Sequence, residues 1–227
     1  MTDAPQATQS EGVPQGPPQG QIQIRNLFPT PVATFLLPDR ERINAALEAR
    51  IFARETETPS VQHSNLGGWQ SPTDFEDWCG PEGQAILDTA RQIATRLTAD
   101  RAGKPVQSLK WRINAWANVN RRGQGNEFHY HPGAFWSATY YVRDGGIATN
   151  PELGGEFEMQ DPRGIGPAML APDLAFGIQG GLSVGVSETL RPIPGLLVVF
   201  PSWLAHAVRP YTGDDVRISI ALNFTPI

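Results

Sequence analysis

Residues 111–120 (WRINAWANVN) show the clearest pattern in the chain, a strict alternation of side chains. The odd-numbered positions, from Trp111 to Val119, are apolar, whereas the even-numbered ones include Arg112, Asn118 and Asn120. A period of two predicts a β-strand with one buried and one polar face. Shorter runs of the same kind follow and predict further strands at 135–142, 156–160, 184–190, 196–200 and 217–224.

Two stretches before Gly103 follow the helical repeat instead. Ile43, Leu47 and Ile51 are spaced by four residues and predict a helix near 40–54, with Asp39 as its N-cap. A second helix is predicted near 82–101. Its inward face would carry Ile86, Ala90, Ile93 and Leu97.

The remaining segments of the N-terminal half contain short patterns only. Alternation at 22–24 and 32–37 predicts two short strands, whereas 55–80 and 121–128 are polar and predict loops. Residues 1–21 are rich in Pro, Gln and Gly and predict a disordered tail.

The order of these elements predicts the fold class. Two helices precede six to eight short strands, which indicates one mostly β (α+β) domain over 22–227. Its core would be a double-stranded β-helix, the jelly roll of cupin-like proteins, flanked by the two helices. The glycine-rich loop 164–185 would be either a mobile lid or a surface excursion.

Composition excludes several classes of function. The 227 residues include 18 basic and 23 acidic side chains, a net charge of −5, without a basic run, so neither nucleic acid nor an anionic membrane is expected as partner. The single cysteine, Cys79, excludes an intrachain disulfide and suits a reducing compartment. No apolar stretch is long enough to cross a bilayer, and no signal peptide is recognised. A cytoplasmic location is expected.

Histidine is scarce, so its grouping is informative. Three of the four histidines, His129, His131 and His206, fall next to predicted strands, and the His129-x-His131 spacing would place two imidazoles on one face. Two imidazoles held in this way can chelate a transition metal. The fourth, His63, is interpreted as a loop residue.

A second polar pair lies on the last predicted strand. Arg217 and Ser219 share one face by alternation, while Ile218, Ile220 and Leu222 mark the strand as buried. A buried guanidinium needs an anionic partner, and its fork of N–H donors suits a carboxylate.

Taken in order, these motifs resemble the iron(II)/2-oxoglutarate-dependent oxygenase superfamily, in particular its bacterial and phage group with a prolyl-hydroxylase-like jelly roll. The resemblance covers about residues 24–225. It is carried by His129-x-His131, Tyr140-Tyr141-Val142, Gly154-Gly155-Glu156-Phe157, the run 195–201, His206 and Arg217-x-Ser219, with further similarity at 27–31 and in Gly68-Trp69-Gln70-Ser71.

The resemblance implies roles for individual residues. His129, His131 and His206 would bind Fe(II). The C5 carboxylate of 2-oxoglutarate would be held by Arg217, Ser219 and Tyr141. Asn118 would be a further contact of 2-oxoglutarate. The substrate pocket would be lined by Trp136, Trp203, Asn120 and Ser137.

The implied activity is a dioxygenase reaction. O2 and 2-oxoglutarate would be used to hydroxylate an unidentified small-molecule or peptide substrate, with release of succinate and CO2. A homodimer is a further expectation for its assembly.

One residue departs from the superfamily pattern. His131 stands where most members have an Asp or Glu, so the site would be more positive by one unit, which the dianionic co-substrate can offset. Glu127 or Asp144 could supply a carboxylate instead, although neither has the usual spacing.

Two alternatives share the architecture. The glycine and histidine spacing also resembles the two cupin motifs, without the cupin glutamate, which leaves a three-histidine dioxygenase that does not use 2-oxoglutarate. A non-catalytic ligand-binding jelly roll is the other alternative. The Arg217-x-Ser219 pair favours the oxygenase.

Overall fold

Two antiparallel β-sheets that face each other form the centre of the computed structural model, which describes residues 19–178 and 184–227. One sheet has six strands in the order β1-β9-β6-β11-β4-β3, and the other has five in the order β2-β5-β10-β7-β8. The strands are β1 (Ala33–Leu36), β2 (Asn65–Leu66), β3 (Trp69–Gln70), β4 (Trp111–Asn120), β5 (Gln124–His129), β6 (Trp136–Asp144), β7 (Phe157–Met159), β8 (Glu188–Leu190), β9 (Leu196–Pro201), β10 (His206–Tyr211) and β11 (Arg217–Pro226).

The chain crosses repeatedly between the two sheets. From β4 to β7 each strand lies in the sheet opposite its predecessor, and β9, β10 and β11 alternate in the same way. This is the connectivity of a double-stranded jelly roll. The predicted mostly β fold class is confirmed.

The helices before β4 cover the outer face of the six-stranded sheet. The helical segments are α1 (Arg40–Glu57), α2 (Phe75–Trp78), α3 (Gly80–Arg96) and α4 (Gly166–Leu170), with 3-10 turns at Val106–Ser108 and Pro151–Leu153. Leu47 and Ile51 of α1, together with Ile86 and Ala90 of α3, are buried against the sheet, as their spacing predicts. Among the described residues, no helix has the length and apolar character needed to cross a membrane.

The N-cap position of Asp39 is confirmed, whereas its side-chain bond and the end of the second helix differ from the prediction. Asp39 occupies the N-cap of α1 with a left-handed backbone (φ 53°), and its side chain caps no N–H group. Helix α3 ends at Arg96, and just beyond it the Thr98 hydroxyl donates to the Ala94 carbonyl and accepts the indole N–H of Trp136. Leu97 therefore lies outside the helix and is 40% exposed.

Several predicted loops and strands also need correction. Residues 22–24 form no strand, and Ile22 is 92% exposed. The expected loop 55–80 contains β2, β3 and α2, and the expected loop 121–128 is largely β5. These strands are short or polar, and backbone pairing with neighbours holds them, so they leave no hydrophobic period.

Two predicted flexible segments fall partly outside the described residues. The predicted tail, 1–21, is described only from residue 19, and residues 19–21 are exposed. In the predicted lid, 164–185, residues 179–183 are not described, and the preceding part includes α4.

The alternation in the six-stranded sheet separates two environments. Even-numbered residues of β11, from Ile218 to Phe224, pack towards the helices together with Tyr140 and Val142 of β6. Odd-numbered residues of β11 face the opposite sheet. The inward-facing residues form four rows across the neighbouring strands. The first row contains Arg217 and Asn120, and the second contains Gln70, Asn118, Ser219 and Tyr141. The third contains Trp116, Ala221 and Thr139, and the fourth contains Asn114, Asn223 and Ser137.

Candidate active site

Three histidines meet between the two sheets. His129 ends β5 and lies directly opposite His206, the first residue of β10, while His131 follows in the β5–β6 connection. The ring centroids are 4.4 Å apart for His129 and His206, and 5.0 Å apart for each pair that includes His131. One ring nitrogen from each histidine lies within 4.8 Å of the other two, a separation at which all three can bind one metal ion.

Backbone carbonyls orient two of these rings. Nδ1 of His129 lies 2.7 Å from the Glu127 carbonyl oxygen, and Nδ1 of His206 lies 2.7 Å from that of Leu204. A carbonyl only accepts, so each Nδ1 carries the proton and each Nε2 presents its lone pair. Nε2 of His206 is 3.2 Å from Nε2 of His131. Both nitrogens are therefore directed to the same point.

Burial keeps the imidazoles neutral. Loss of solvation lowers the pKa of His206 to about 3 and that of His131 to about 4, and it also lowers the pKa of His129. A neutral imidazole is the form that binds a metal, so no proton has to be displaced near pH 7.

Neither proposed substitute carboxylate joins the cluster. Glu127 is exposed, and Asp144 lies opposite Arg217 on β6, where its side chain accepts from the Ala148 N–H. Among the described residues that line the surrounding cavity, none is Asp or Glu. The described groups around the cluster are therefore neutral or cationic.

A cavity of about 580 Å³ connects the histidines to Arg217. Strands β4, β6 and β11 form one wall, and β5, β7 and β10 form the other. The ring centroids of Trp116 and His131 are 5.7 Å apart, so the histidine cluster lies level with Trp116 of β4. Arg217 lies four residues deeper on the same wall, opposite Asn120.

Arg217 is a buried cation at the inner end of this cavity. Only 1% of it is exposed. Its Nε donates to the Gly155 carbonyl (3.1 Å), and Nη1 donates to Asn120 Oδ1 (3.2 Å) and Ser219 Oγ (3.3 Å). No carboxylate among the described residues pairs with it, and burial lowers its pKa. The guanidinium thus lacks the anion that its burial requires.

Tyr141 supplies a further unsatisfied group. Its ring lies 5.3 Å from the Arg217 guanidinium carbon, and its hydroxyl is buried without a hydrogen-bond partner among the described residues. Burial raises the pKa of Tyr141 to about 12, so the hydroxyl keeps its proton and can donate it. A buried cation beside an unpaired O–H fits the carboxylate of a bound dicarboxylate.

The structure brings together most residues that the sequence nominates, but not all of them. Trp136 lies on the helix side of β6 and donates to Thr98, so it does not wall the cavity. Trp203 is half-exposed and lies outside the cavity lining. Asn120 and Ser137 reach the cavity only through their partners, Arg217 and Asn223.

The sequence reasoning missed one wall of the cavity. His63, Ser64, Gln70 and Thr73 line it from the segment around β2 and β3. The motif Gly68-Trp69-Gln70-Ser71 was a signal for Gln70. For the other three, no sequence pattern indicates their position, because loop contacts leave no period.

Comparison with known proteins agrees with this architecture. A family model described as "Putative 2OG-Fe(II) oxygenase" matches residues 114–223. No curated protein matches the sequence. Among solved structures, a prolyl-4-hydroxylase from Pseudomonas putida is similar with a TM-score of 0.57 and 20% identity, covering 86% of this chain and 91% of that one.

Two further structures have the same fold. A prolyl hydroxylase from Trichoplax adhaerens, in complex with a peptide fragment of hypoxia inducible factor, has a TM-score of 0.60 at 11% identity and covers 86% and 83% of the two chains. HygX from Streptomyces hygroscopicus, with nickel and 2-oxoglutarate bound, has a TM-score of 0.52 at 13% identity and covers 87% and 83%.

The fold and the residues in the cavity define a jelly-roll protein of the metal-dependent oxygenase class. The matched residues, 114–223, contain the three histidines, Tyr141, Arg217 and Ser219, so the match to the 2OG-Fe(II) oxygenase model includes the whole candidate site. The protein is an Fe(II)- and 2-oxoglutarate-dependent dioxygenase that uses O2 and a further substrate. The cupin and non-catalytic alternatives are not favoured.

Proposed function

We propose that His129, His131 and His206 bind Fe(II) and that the cavity between them and Arg217 binds 2-oxoglutarate. One observation carries this assignment: the same cavity contains two sites that suit a ligand. The neutral three-histidine cluster lies level with Trp116, and the buried Arg217 guanidinium, which has no anionic partner among the described residues, lies four residues deeper along β4. A dicarboxylate bound to the metal at one end satisfies both.

Each side chain then has a defined task. Arg217 neutralises the C5 carboxylate and donates to it, while Ser219 and Tyr141 add hydroxyl donors and Asn118 an amide. The three imidazoles hold the metal without a carboxylate, so the negative charge of the co-substrate is balanced by the metal and Arg217. When bound, the iron and 2-oxoglutarate supply the oxidative chemistry, in which O2 converts 2-oxoglutarate to succinate and CO2 and hydroxylates the substrate.

The substrate in this proposal is a small molecule or a peptide segment that enters beyond Trp116. The outer rows of the cavity carry Asn114, Asn223 and Tyr130, which present hydrogen-bonding groups to the opening. A homodimer and a cytoplasmic location remain predictions.

A spectroscopic titration tests the function directly. Adding 2-oxoglutarate to the anaerobic Fe(II) protein should produce a metal-to-ligand charge-transfer band that saturates with one equivalent bound. If the unmodified protein shows no band at millimolar 2-oxoglutarate, the oxygenase proposal fails and the cupin alternative replaces it.

Two adjacent tyrosines provide a matched pair of variants. Tyr141→Phe should weaken 2-oxoglutarate binding by about 1 kcal/mol, because it removes one neutral donor. The free energy of unfolding of the ligand-free protein should stay constant or rise, since the Tyr141 hydroxyl has no partner to lose.

Tyr140→Phe should show the opposite behaviour. The Tyr140 hydroxyl donates to Asn44 Oδ1 at 2.6 Å in the core beneath α1, so its loss leaves a buried acceptor unpaired. Unfolding should become easier by about 1–3 kcal/mol, without a change in 2-oxoglutarate affinity. Denaturant unfolding and the charge-transfer titration measure the two effects. Equal loss of stability in both variants would contradict the assignment of Tyr141.

A further inference from the structure

Gln70 presents a buried amide to the cavity from outside the family match. It lies on edge strand β3, directly opposite Asn118 of β4, and the two residues are only 4% and 8% exposed. Both side chains line the cavity, and neither amide group has a hydrogen-bond partner among the described residues. The amide atoms open onto the cavity rather than into the packed core, so they can donate to a ligand bound there.

The position of Gln70 specifies which ligand it meets. In register, Gln70, Asn118, Ser219 and Tyr141 form one row across four adjacent strands. This row lies one step above Arg217 and one step below Trp116, the neighbour of His131. A molecule that extends from the histidines to Arg217 must pass this row.

The local backbone holds Gln70 in place. Its N–H donates to Ser60 Oγ (3.0 Å), and its carbonyl accepts from the Val61 N–H (2.9 Å). The next residue, Ser71, bonds Ala117 through both its N–H and its side chain. Gly68 adopts a φ of +77°, and a Cβ there would lie 2.9 Å from the Val119 carbonyl oxygen, so the turn before β3 fits closely against β4. The backbone of Gln70 is therefore fixed at a position from which its side chain lines the cavity.

We propose that Gln70 is a co-substrate-binding residue that, together with Asn118, donates amide N–H groups to carboxylate oxygen of 2-oxoglutarate. This inference rests on the proposed function and extends the binding site to a segment that precedes the matched residues. Two amides suit a dianion here, because they add donors without adding charge to a cavity that already contains Arg217 and the metal site.

The test compares three variants by charge-transfer titration of the anaerobic Fe(II) protein. Gln70→Leu keeps the volume and removes the donors, so the dissociation constant of 2-oxoglutarate should rise about five- to tenfold. Gln70→Glu keeps the shape but places a carboxylate beside the dianion, so the dissociation constant should rise further than in Gln70→Leu. A purely structural role would give the reverse order, since Glu is the closer isostere.

Asn114→Leu is the matched control. Asn114 is a cavity-lining amide on the same face of β4, but it lies beyond Trp116, so its loss should leave 2-oxoglutarate affinity unchanged. Thermal unfolding should show that Gln70→Leu is as stable as the unmodified protein, because its amide bonds no described group. Iron content should also be unchanged in all three variants.

The outcomes separate this inference from the function on which it rests. A missing band in the unmodified protein contradicts the function itself. A normal band with unchanged affinity in both Gln70 variants, or a smaller effect for Glu than for Leu, overturns only the role of Gln70.

Discussion

Replacing His206 with alanine should abolish stoichiometric Fe(II) binding. His206 is the most deeply buried of the three histidines, and its Nε2 is directed to the point shared with His131. Two remaining imidazoles, without a carboxylate in the described cluster, cannot complete a three-ligand face. Metal content after anaerobic reconstitution and desalting measures the effect. The same loss is expected for His129→Ala and His131→Ala.

His63→Ala provides the control for these variants. His63 also lines the cavity, but it lies on an exposed loop and is not part of the cluster. Its replacement should leave one iron bound per chain. Should His131→Ala retain full iron occupancy, the three-histidine assignment is wrong and a carboxylate ligand must be sought.

Replacing Arg217 with lysine should raise the dissociation constant of 2-oxoglutarate at least about tenfold. The substitution keeps a positive charge but loses the planar fork, and hydrogen bonds to charged groups are worth about 1.5–3 kcal/mol. In addition, the lysine ammonium cannot reproduce both bonds that Arg217 makes through Nε to the Gly155 carbonyl and through Nη1 to Asn120. Iron binding should persist, because Arg217 is not part of the histidine cluster.

Arg209→Lys is the comparison for this variant. Arg209 lies on β10 and is half-exposed, where it pairs with Glu158 on the surface of the five-stranded sheet. Its replacement should change neither 2-oxoglutarate affinity nor iron content. If Arg217→Lys binds 2-oxoglutarate as tightly as the unmodified protein, Arg217 does not hold the co-substrate carboxylate.

The sequence predicted the parts of the fold that have a clear period. Strand β4 was predicted with its observed limits, and the face that carries Asn118 lines the cavity. The alternation in β11 likewise placed Arg217 and Ser219 together, at a hydrogen-bond distance of 3.3 Å. In both strands a buried face opposes a polar face, and this contrast is what a period of two records.

The parts that could not be predicted depend on contacts between distant segments. Strand β10 begins at His206 and is recognised only through its pairing with β5 and β7. Trp136 was assigned to the pocket because it is close to the histidines in sequence, whereas strand parity turns it towards α3. Gln70 reaches the cavity because β3 pairs with β4, a strand far away in the sequence. Its neighbour Ser71, for example, bonds Ala117 across 46 positions of chain.

The two-faced β11 makes the length of this strand a constraint as strict as its composition. If a single residue were deleted or inserted before Ser219, every side chain on one side of that position would turn to the opposite face of the sheet. Isoleucines would then enter the cavity while arginine or serine entered the core beneath the helices. Such a one-residue shift would remove co-substrate binding and reduce the stability of the fold together. Homologous chains should therefore vary in length in the connections around β11 and not within it.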